Sequence, residues 1–198
     1  DKKEVSRQDQ AKKNDFKAFA PSLQTLLDLF PTPTLLIDHA EHVPAATTPE
    51  PYPSLLAHDY HMTVAMESFH HTTVDVRVLA SRRNDKIYSR KIILLKHGTE
   101  EVVQFGIVRF NLSYVTDEVA QAILSEKIPL GRILIEHNVL RHIDLGALLK
   151  IQPGPELCNL FHSPSGTETY GRLATIFCNH RPAVDLLEIS VPLPSETP

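Results

Sequence analysis

Alternating apolar and polar positions divide the chain into strands that come in consecutive pairs. Near its end, apolar runs at 173–178 and 183–191 flank the polar stretch 179–182, which contains the Asn and Pro of a typical turn. This pattern predicts a β-hairpin. In its second strand, the period of two places Glu188 on the same face as Leu186. Such a carboxylate is paired, protonated or functional, or it reaches solvent near the strand end.

Three earlier segments also show strand patterns. Valines alternate with charged residues over 72–79, and apolar runs follow at 87–95 and 102–112. The polar patch 81–86 is typical of a turn between the first two segments. We therefore expect three consecutive strands, of which the last two form an antiparallel pair.

Two cations stand side by side in the strand predicted over 87–95. Successive side chains point to opposite faces, so Arg90 lies with Tyr88 and Ile92, whereas Lys91 lies on the other face, also among apolar residues. We expect one cation to be exposed and the other to face the core or a pocket.

Helical spacing marks three segments. Ser22 is a good N-cap for the apolar positions of 23–30, and Thr116 is a good N-cap for a helix that ends near residue 126. Pro129 is typical of the first turn of a third helix. The free N–H groups of that turn could bind an anion, or the segment is simply a tightly packed helix start.

The remaining segments are less regular. Residues 1–20 are mostly polar and are expected to be frayed, and the Pro-rich stretch 31–53 is expected to run over the surface, where it is functional or mobile. Residues 58–71 are typical of helical or mixed structure, 139–151 of a strand in preference to a helix, and 153–169 of a loop.

Composition agrees with a soluble protein of one domain. The 198 residues are 42% hydrophobic and 22% charged, and hairpins with helices between them predict a single α+β domain over residues 1–198, built on one antiparallel sheet flanked by helices. A net charge of -4 argues against a nucleic-acid surface, and no apolar run approaches the ~20 residues that span a bilayer. We expect a cytoplasmic protein with no nucleic-acid or membrane partner, in which local arginines bind any anionic ligand.

Other chemistries have weaker signals. The chain has 11 histidines, of which a group lies close together in sequence: His58, His61, His70 and His71. This group suggests a metal hydrolase, but its spacing matches no zinc motif, so no metal is expected. Cys158 and Cys178 form no CxxC pair and are expected to be reduced and structural. Residues 163–166 resemble a turn more than a nucleophile elbow.

Several short motifs occur in a specific order. Arg90 precedes the Pro-Leu-Gly-Arg motif of 129–132, which precedes the Tyr-Gly-Arg motif of 170–172 and then Glu188. Together with the His-Met-Thr of 61–63, this order resembles the chorismate pyruvate-lyase family, including its bacterial and archaeal branch long called a domain of unknown function. The resemblance covers about two thirds of the chain.

The resemblance implies an antiparallel sheet with a small internal ligand pocket under loops. It also implies a lyase that converts chorismate to 4-hydroxybenzoate and pyruvate without any cofactor. By the same resemblance, Arg90 binds the ligand carboxylate, the backbone N–H of Leu130 assists it, and Glu188 contacts the ring hydroxyl, so that Glu188 and Arg90 are the catalytic residues. The expected substrate-binding residues are Arg90, Leu130, Gly131, Arg132, Arg172 and Glu188.

One departure from the family pattern concerns the final hairpin. The better known lyases place the glutamate one residue nearer the proline after the turn, so this chain has one extra residue between Pro182 and Glu188. We expect a β-bulge there, because a simple slip by one residue would turn Glu188 to the other face.

A binding module is the alternative to an enzyme. The expected fold also resembles the ligand-sensing domain that follows DNA-binding helices in some bacterial repressors, and a fold alone does not determine a function. A domain that binds an aromatic acid without converting it is therefore the second interpretation. Whether the chain is a monomer or a homodimer stays open.

Overall fold

The computed structural model describes residues 21–195, so the expectation of a frayed segment at 1–20 lies outside the described part. The fold is α+β, with one sheet of seven strands in the order β1-β5-β6-β7-β4-β3-β2. All neighbouring strands are antiparallel. The predicted fold class, a single antiparallel sheet flanked by helices, is confirmed.

The strands are β1 (Ile37–His42), β2 (Val74–Asn84), β3 (Ile87–Lys96), β4 (Val102–Asn111), β5 (Arg141–Pro153), β6 (Thr169–Cys178) and β7 (Arg181–Ser190). The helices are α1 (Leu23–Leu27), α2 (Tyr52–Leu56), α3 (Met62–His70), α4 (Asp117–Leu124), α5 (Leu130–Glu136) and α6 (Pro155–Phe161). Short 3-10 helices lie at Ala45–Thr47 and Leu112–Tyr114. None of the helices between residues 21 and 195 is long and apolar enough to cross a membrane.

Helices cover both faces of the sheet. On one face, Leu26 of α1 and Leu157 of α6 pack with Phe105 of β4. On the other face, α4 and α5 pack with one part of the sheet, where Ile133 contacts the cluster around Val108, and α2 and α3 pack with another. Burial of these apolar side chains is the main force that holds the layers together.

Both hairpins predicted from alternation are present. Strands β3 and β4 pair as expected, with Tyr88 opposite Phe110. Strands β6 and β7 are joined at Asn179 and His180, which both have positive φ, so the turn is tighter than the predicted four residues.

The expected bulge also lies in this hairpin. Phe177 is opposite Pro182 and Ile176 is opposite Val184, so Ala183 is the extra residue. Because the bulge restores the alternation, Glu188 lies directly opposite Arg172.

Three segments differ from the predictions. The turn predicted over 81–86 is confined to residues 85–86, because β2 continues to Asn84 and its ladder with β3 outweighs the polarity of the side chains. The Pro-rich stretch 31–53 contains β1, which forms a sheet edge on β5. The loop expected over 153–169 contains α6, with Pro155 in its first turn and Phe161 in the core.

The expectation for the two adjacent cations was wrong, because both are buried. Arg90 is 1% exposed and Lys91 is 7% exposed. The Nζ atom of Lys91 lies 2.6 Å from Oε1 of Glu156 on α6, and this ion pair makes the burial of the ammonium group tolerable. Alternation alone could not reveal a partner that lies 65 residues away.

We expect Glu156→Ala to lower the free energy of unfolding by about 3 kcal/mol, since it leaves the Lys91 ammonium buried without its counter-ion. Urea denaturation of the variant and the unmodified chain measures the loss. The matched control is Glu100→Ala, which breaks an exposed ion pair with Arg77 and should change stability far less. Equal losses in the two variants would contradict this account of Lys91.

Candidate functional site

A small cavity lies between the sheet and the first turns of α3 and α5, with a volume of about 40 Å³. Apolar side chains of β3, β4, β6 and β7 form much of its wall. The polar side chains that line it are His61, Thr63, Arg90, Gln104, Arg172 and Glu188. Five of the six residues predicted to bind substrate are therefore brought together here: Arg90, Leu130, Gly131, Arg172 and Glu188.

Arg172 connects the sheet to the segment before α3. Its side chain is 1% exposed, and its Nε donates to Oε1 of Glu188 at 2.9 Å. Its Nη1 and Nη2 donate to the backbone oxygens of His58 and Tyr60, both at 3.1 Å. Each nitrogen of the guanidinium group thus already has an acceptor within the protein.

Glu188 is a paired carboxylate. One oxygen accepts from Arg172, and the other accepts from Nε2 of Gln104 at 3.2 Å. Its side chain is 12% exposed. Of the alternatives that the sequence left open, the structure therefore shows an ion pair.

Arg90 has a different environment. Its guanidinium group lies 5.5 Å from the centre of the Phe110 ring, and among residues 21–195 no atom accepts a hydrogen bond from its Nε or Nη1. Burial lowers the pKa of Arg90, while nearby Tyr88 and Glu126 oppose that shift. An arginine nevertheless keeps its charge in proteins. The cavity wall therefore contains a buried cation with two nitrogens that have no acceptor among residues 21–195.

The start of α5 forms another part of the wall. Gly131 packs so closely on the start of α3 that an added Cβ would lie 2.9 Å from Cβ of His61 and 2.9 Å from Oγ1 of Thr63. This contact brings Leu130 and Gly131 to the cavity. Arg132 points elsewhere: it donates to the Glu67 carboxylate at 2.9 Å and does not line the cavity.

Three polar lining residues have no specific role in the sequence prediction: His61, Thr63 and Gln104. Gln104 is 2% exposed, and its isolated polar position within the apolar run 102–112 was a usable signal. His61 is 6% exposed and accepts a hydrogen bond at Nε2 from Nε of Arg141, at 2.7 Å. Burial, Arg141 and Arg172 together lower the pKa of His61 to about 4, so its ring is neutral at pH 7.

Metal-binding and thiol chemistry have little support in the described part of the chain. No group of three or more His, Cys, Asp or Glu side chains between residues 21 and 195 could hold a metal ion. His58, one of the histidines considered for a metal site, has its Nε2 2.6 Å from the backbone oxygen of Leu55. Cys158 and Cys178 are free, and burial raises the pKa of Cys178 to about 11, which keeps it a thiol.

Comparison with solved structures gives matches at low sequence identity. PhnF from Mycobacterium smegmatis matches with 8% identity over 66% of this chain and 63% of PhnF, at a TM-score of 0.46. Its effector domain alone matches with 8% identity over 67% of this chain and 88% of the domain, at a TM-score of 0.48. The C-terminal domain of the histidine utilization repressor from Pseudomonas syringae pv. tomato matches with 10% identity over 63% of this chain and 97% of that domain, at a TM-score of 0.44.

This chain thus spans less than two thirds of the full PhnF chain, at 63%. No family model matches the sequence, and no curated protein matches it. The matched domains are the effector domain of PhnF and a domain of a repressor, and neither is described as a lyase. The comparisons therefore give no support to the predicted enzyme, and the expected carbon–oxygen lyase activity is withdrawn.

The low pKa of His61 predicts a pH-dependent loss of stability. Protonation favours the unfolded chain, because the pKa is 6.5 there and about 4 in the folded protein. The stability that neutral His61 contributes is full above pH 6.5 and is lost as the pH falls towards 4. Between pH 7 and pH 5 the loss from this group is about 2 kcal/mol.

We expect the free energy of unfolding of His61→Gln to fall by about 2 kcal/mol less than that of the unmodified chain between pH 7 and pH 5. Glutamine does not titrate, and it can still accept a hydrogen bond from Arg141. Urea denaturation at the two pH values measures the difference. His42→Gln, at an exposed position of β1, is the control and should retain the full loss. If His61→Gln shows the same pH dependence as the unmodified chain, His61 is not the buried neutral group described above.

Proposed function

We propose that this chain is a small-molecule binding domain that holds an organic acid anion in the cavity beside Arg90, without converting it. The observation that carries the proposal is the Arg90 guanidinium group, which is buried in the cavity wall with two nitrogens that have no acceptor among residues 21–195. A buried charge without a hydrogen-bonded partner costs several kcal/mol. A carboxylate placed beside it offsets that cost and forms charge-assisted hydrogen bonds.

The other charged groups of the cavity support this choice of anchor. Arg172 is already neutralised by Glu188, so it offers little unpaired charge to a ligand. Among residues 21–195, the acidic group that acts on Arg90 is the more distant Glu126, which accepts a hydrogen bond from the hydroxyl of Tyr88. A ligand anion is therefore attracted chiefly to Arg90, against a weakly repulsive net charge of -4.

The size and lining of the cavity indicate the kind of acid. About 40 Å³ accommodates a carboxylate group, whereas drug-sized ligands occupy ~300–1,000 Å³. A larger acid therefore needs one wall of the cavity to move. The segment 58–61 is joined to the sheet by hydrogen bonds from Arg172 and Arg141. The remaining wall is largely apolar, which suits a flat apolar body. We propose an aromatic acid as the ligand class, with 4-hydroxybenzoate as the first compound to test.

We expect Arg90→Met to weaken the binding of benzoate and 4-hydroxybenzoate at least about 30-fold, because the acid loses its buried counter-ion. The free energy of unfolding without acid should stay the same or rise, since the variant removes a buried unpaired charge. Isothermal titration calorimetry at pH 7 and urea denaturation provide the two measurements.

The control for this experiment is Arg109→Met. Arg109 also lies in the sheet, but its side chain is 39% exposed and lies near Asp185, so its removal should leave acid binding unchanged. Failure of the unmodified chain to bind either acid would overturn the proposed function, as would unweakened binding by Arg90→Met.

A further inference from the structure

We infer that Gln104 makes the cavity selective for acids that carry a hydrogen-bond donor at the end opposite the carboxylate. This inference rests on the proposed function, because it assumes an acid anchored at Arg90. It assigns to Gln104 the contact that the resemblance to the lyase family assigned to Glu188.

Gln104 has one free acceptor. Its side chain lines the cavity, the residue is 2% exposed, and no group among residues 21–195 donates to its Oε1. A buried amide oxygen without a donor loses its hydrogen bonds to water, and no protein hydrogen bond offsets that cost in free energy. A ligand that brings an O–H or N–H group to this oxygen restores the missing hydrogen bond, whereas a ligand without one leaves it unpaired.

The orientation of the amide follows from its neighbours. The two ends of a glutamine amide have nearly the same shape, so the hydrogen-bond network has to decide between them. Here Glu188 decides, because its carboxylate only accepts and lies 3.2 Å from Nε2 of Gln104. A flipped amide would place two oxygens against each other. Since Arg172 holds the same carboxylate, Oε1 is kept as the open acceptor.

Glu188 itself is a poorer candidate for the ligand contact. Each of its oxygens already accepts one hydrogen bond from a protein group, from Arg172 and from Gln104 respectively. The carboxylate therefore positions Gln104, and Gln104 presents the acceptor that has no partner. The two open groups of the cavity are thus a cation at Arg90 and a neutral acceptor at Gln104.

The register of the sheet separates these two groups. Arg90 lies opposite Val108 on β4, whereas Gln104 is four positions earlier on the same strand and lies opposite Leu94. At ~3.3 Å per residue, the two levels are roughly 13 Å apart. A carboxylate bound at Arg90 and a donor bound at Gln104 would therefore belong to opposite ends of the ligand. A donor para to the carboxylate fits this spacing, and a donor ortho to it does not.

Calorimetric titration of the full 198-residue chain with matched acids tests the inference. We expect 4-hydroxybenzoate and 4-aminobenzoate to bind about 10-fold more tightly than 4-fluorobenzoate, and 2-hydroxybenzoate to gain no such advantage, because only the para donors reach Gln104. In Gln104→Met, which keeps the side-chain length but removes the acceptor, the para donors and 4-fluorobenzoate should bind within about 2-fold of one another. The variant Gln104→Leu tests the same loss if the first variant does not fold.

The possible outcomes separate the two proposals. If the unmodified chain binds 4-fluorobenzoate and 4-hydroxybenzoate equally, or if Gln104→Met retains the preference for the donor, Gln104 is not the selecting residue, while acid binding at Arg90 stands. If the unmodified chain binds none of the four acids, the proposed function fails and the inference fails with it.

Discussion

The buried ion pair between Arg172 and Glu188 is the contact on which the candidate site depends. It joins neighbouring strands, and through the backbone oxygens of His58 and Tyr60 it also holds the segment that leads into α3. Burying two charges is costly unless their geometry and remaining hydrogen bonds are good. Here the guanidinium group has an acceptor for each nitrogen and the carboxylate has a donor for each oxygen. The hydrogen bonds of this pair are thus satisfied within the protein, whereas Arg90 and Gln104, which line the same cavity, each have polar atoms without a partner among residues 21–195.

Strand β3 has one buried cation on each face, and only one of the two has a carboxylate partner close by within the described part of the chain. Lys91 meets Glu156, so the helix that follows β5 carries its counter-ion with it. Arg90, one residue earlier, lies over the ring of Phe110, and its Nε and Nη1 have no acceptor among residues 21–195. Both residues are almost fully buried, so burial alone does not distinguish a structural charge from a functional one. The distinction lies in whether the protein itself supplies the partner.

Local patterns were sufficient for much of the fold. Alternation predicted both central hairpins, whereas the bulge, found at Ala183, was expected only from the one-residue departure from the family spacing between Pro182 and Glu188. These features depend on neighbours in sequence, where pleat and turn geometry act directly. The strand β1 and the helix α6 escaped prediction because their stability comes from distant partners: β1 pairs with β5, and α6 packs into the core around Phe105. Short elements of this kind carry little periodicity of their own.

The candidate site shows the same limit more sharply. Charged residues in apolar surroundings marked Arg90 and Glu188. The motif arginines have different partners: Arg132 pairs with the partly exposed Glu67, and Arg172 pairs with Glu188 beside the cavity. The sequence gives the position of each charged residue in the chain, but its ion-pair partner is known only from the fold.

This limit also applies to the lyase that the sequence predicted. The glutamate to which the resemblance gave a catalytic role accepts one hydrogen bond at each oxygen, from Arg172 and from Gln104. A carboxylate held in this way orients these two neighbours. The groups without a partner between residues 21 and 195, the Arg90 guanidinium and the amide oxygen of Gln104, are the two on which the proposed recognition of a small acid rests.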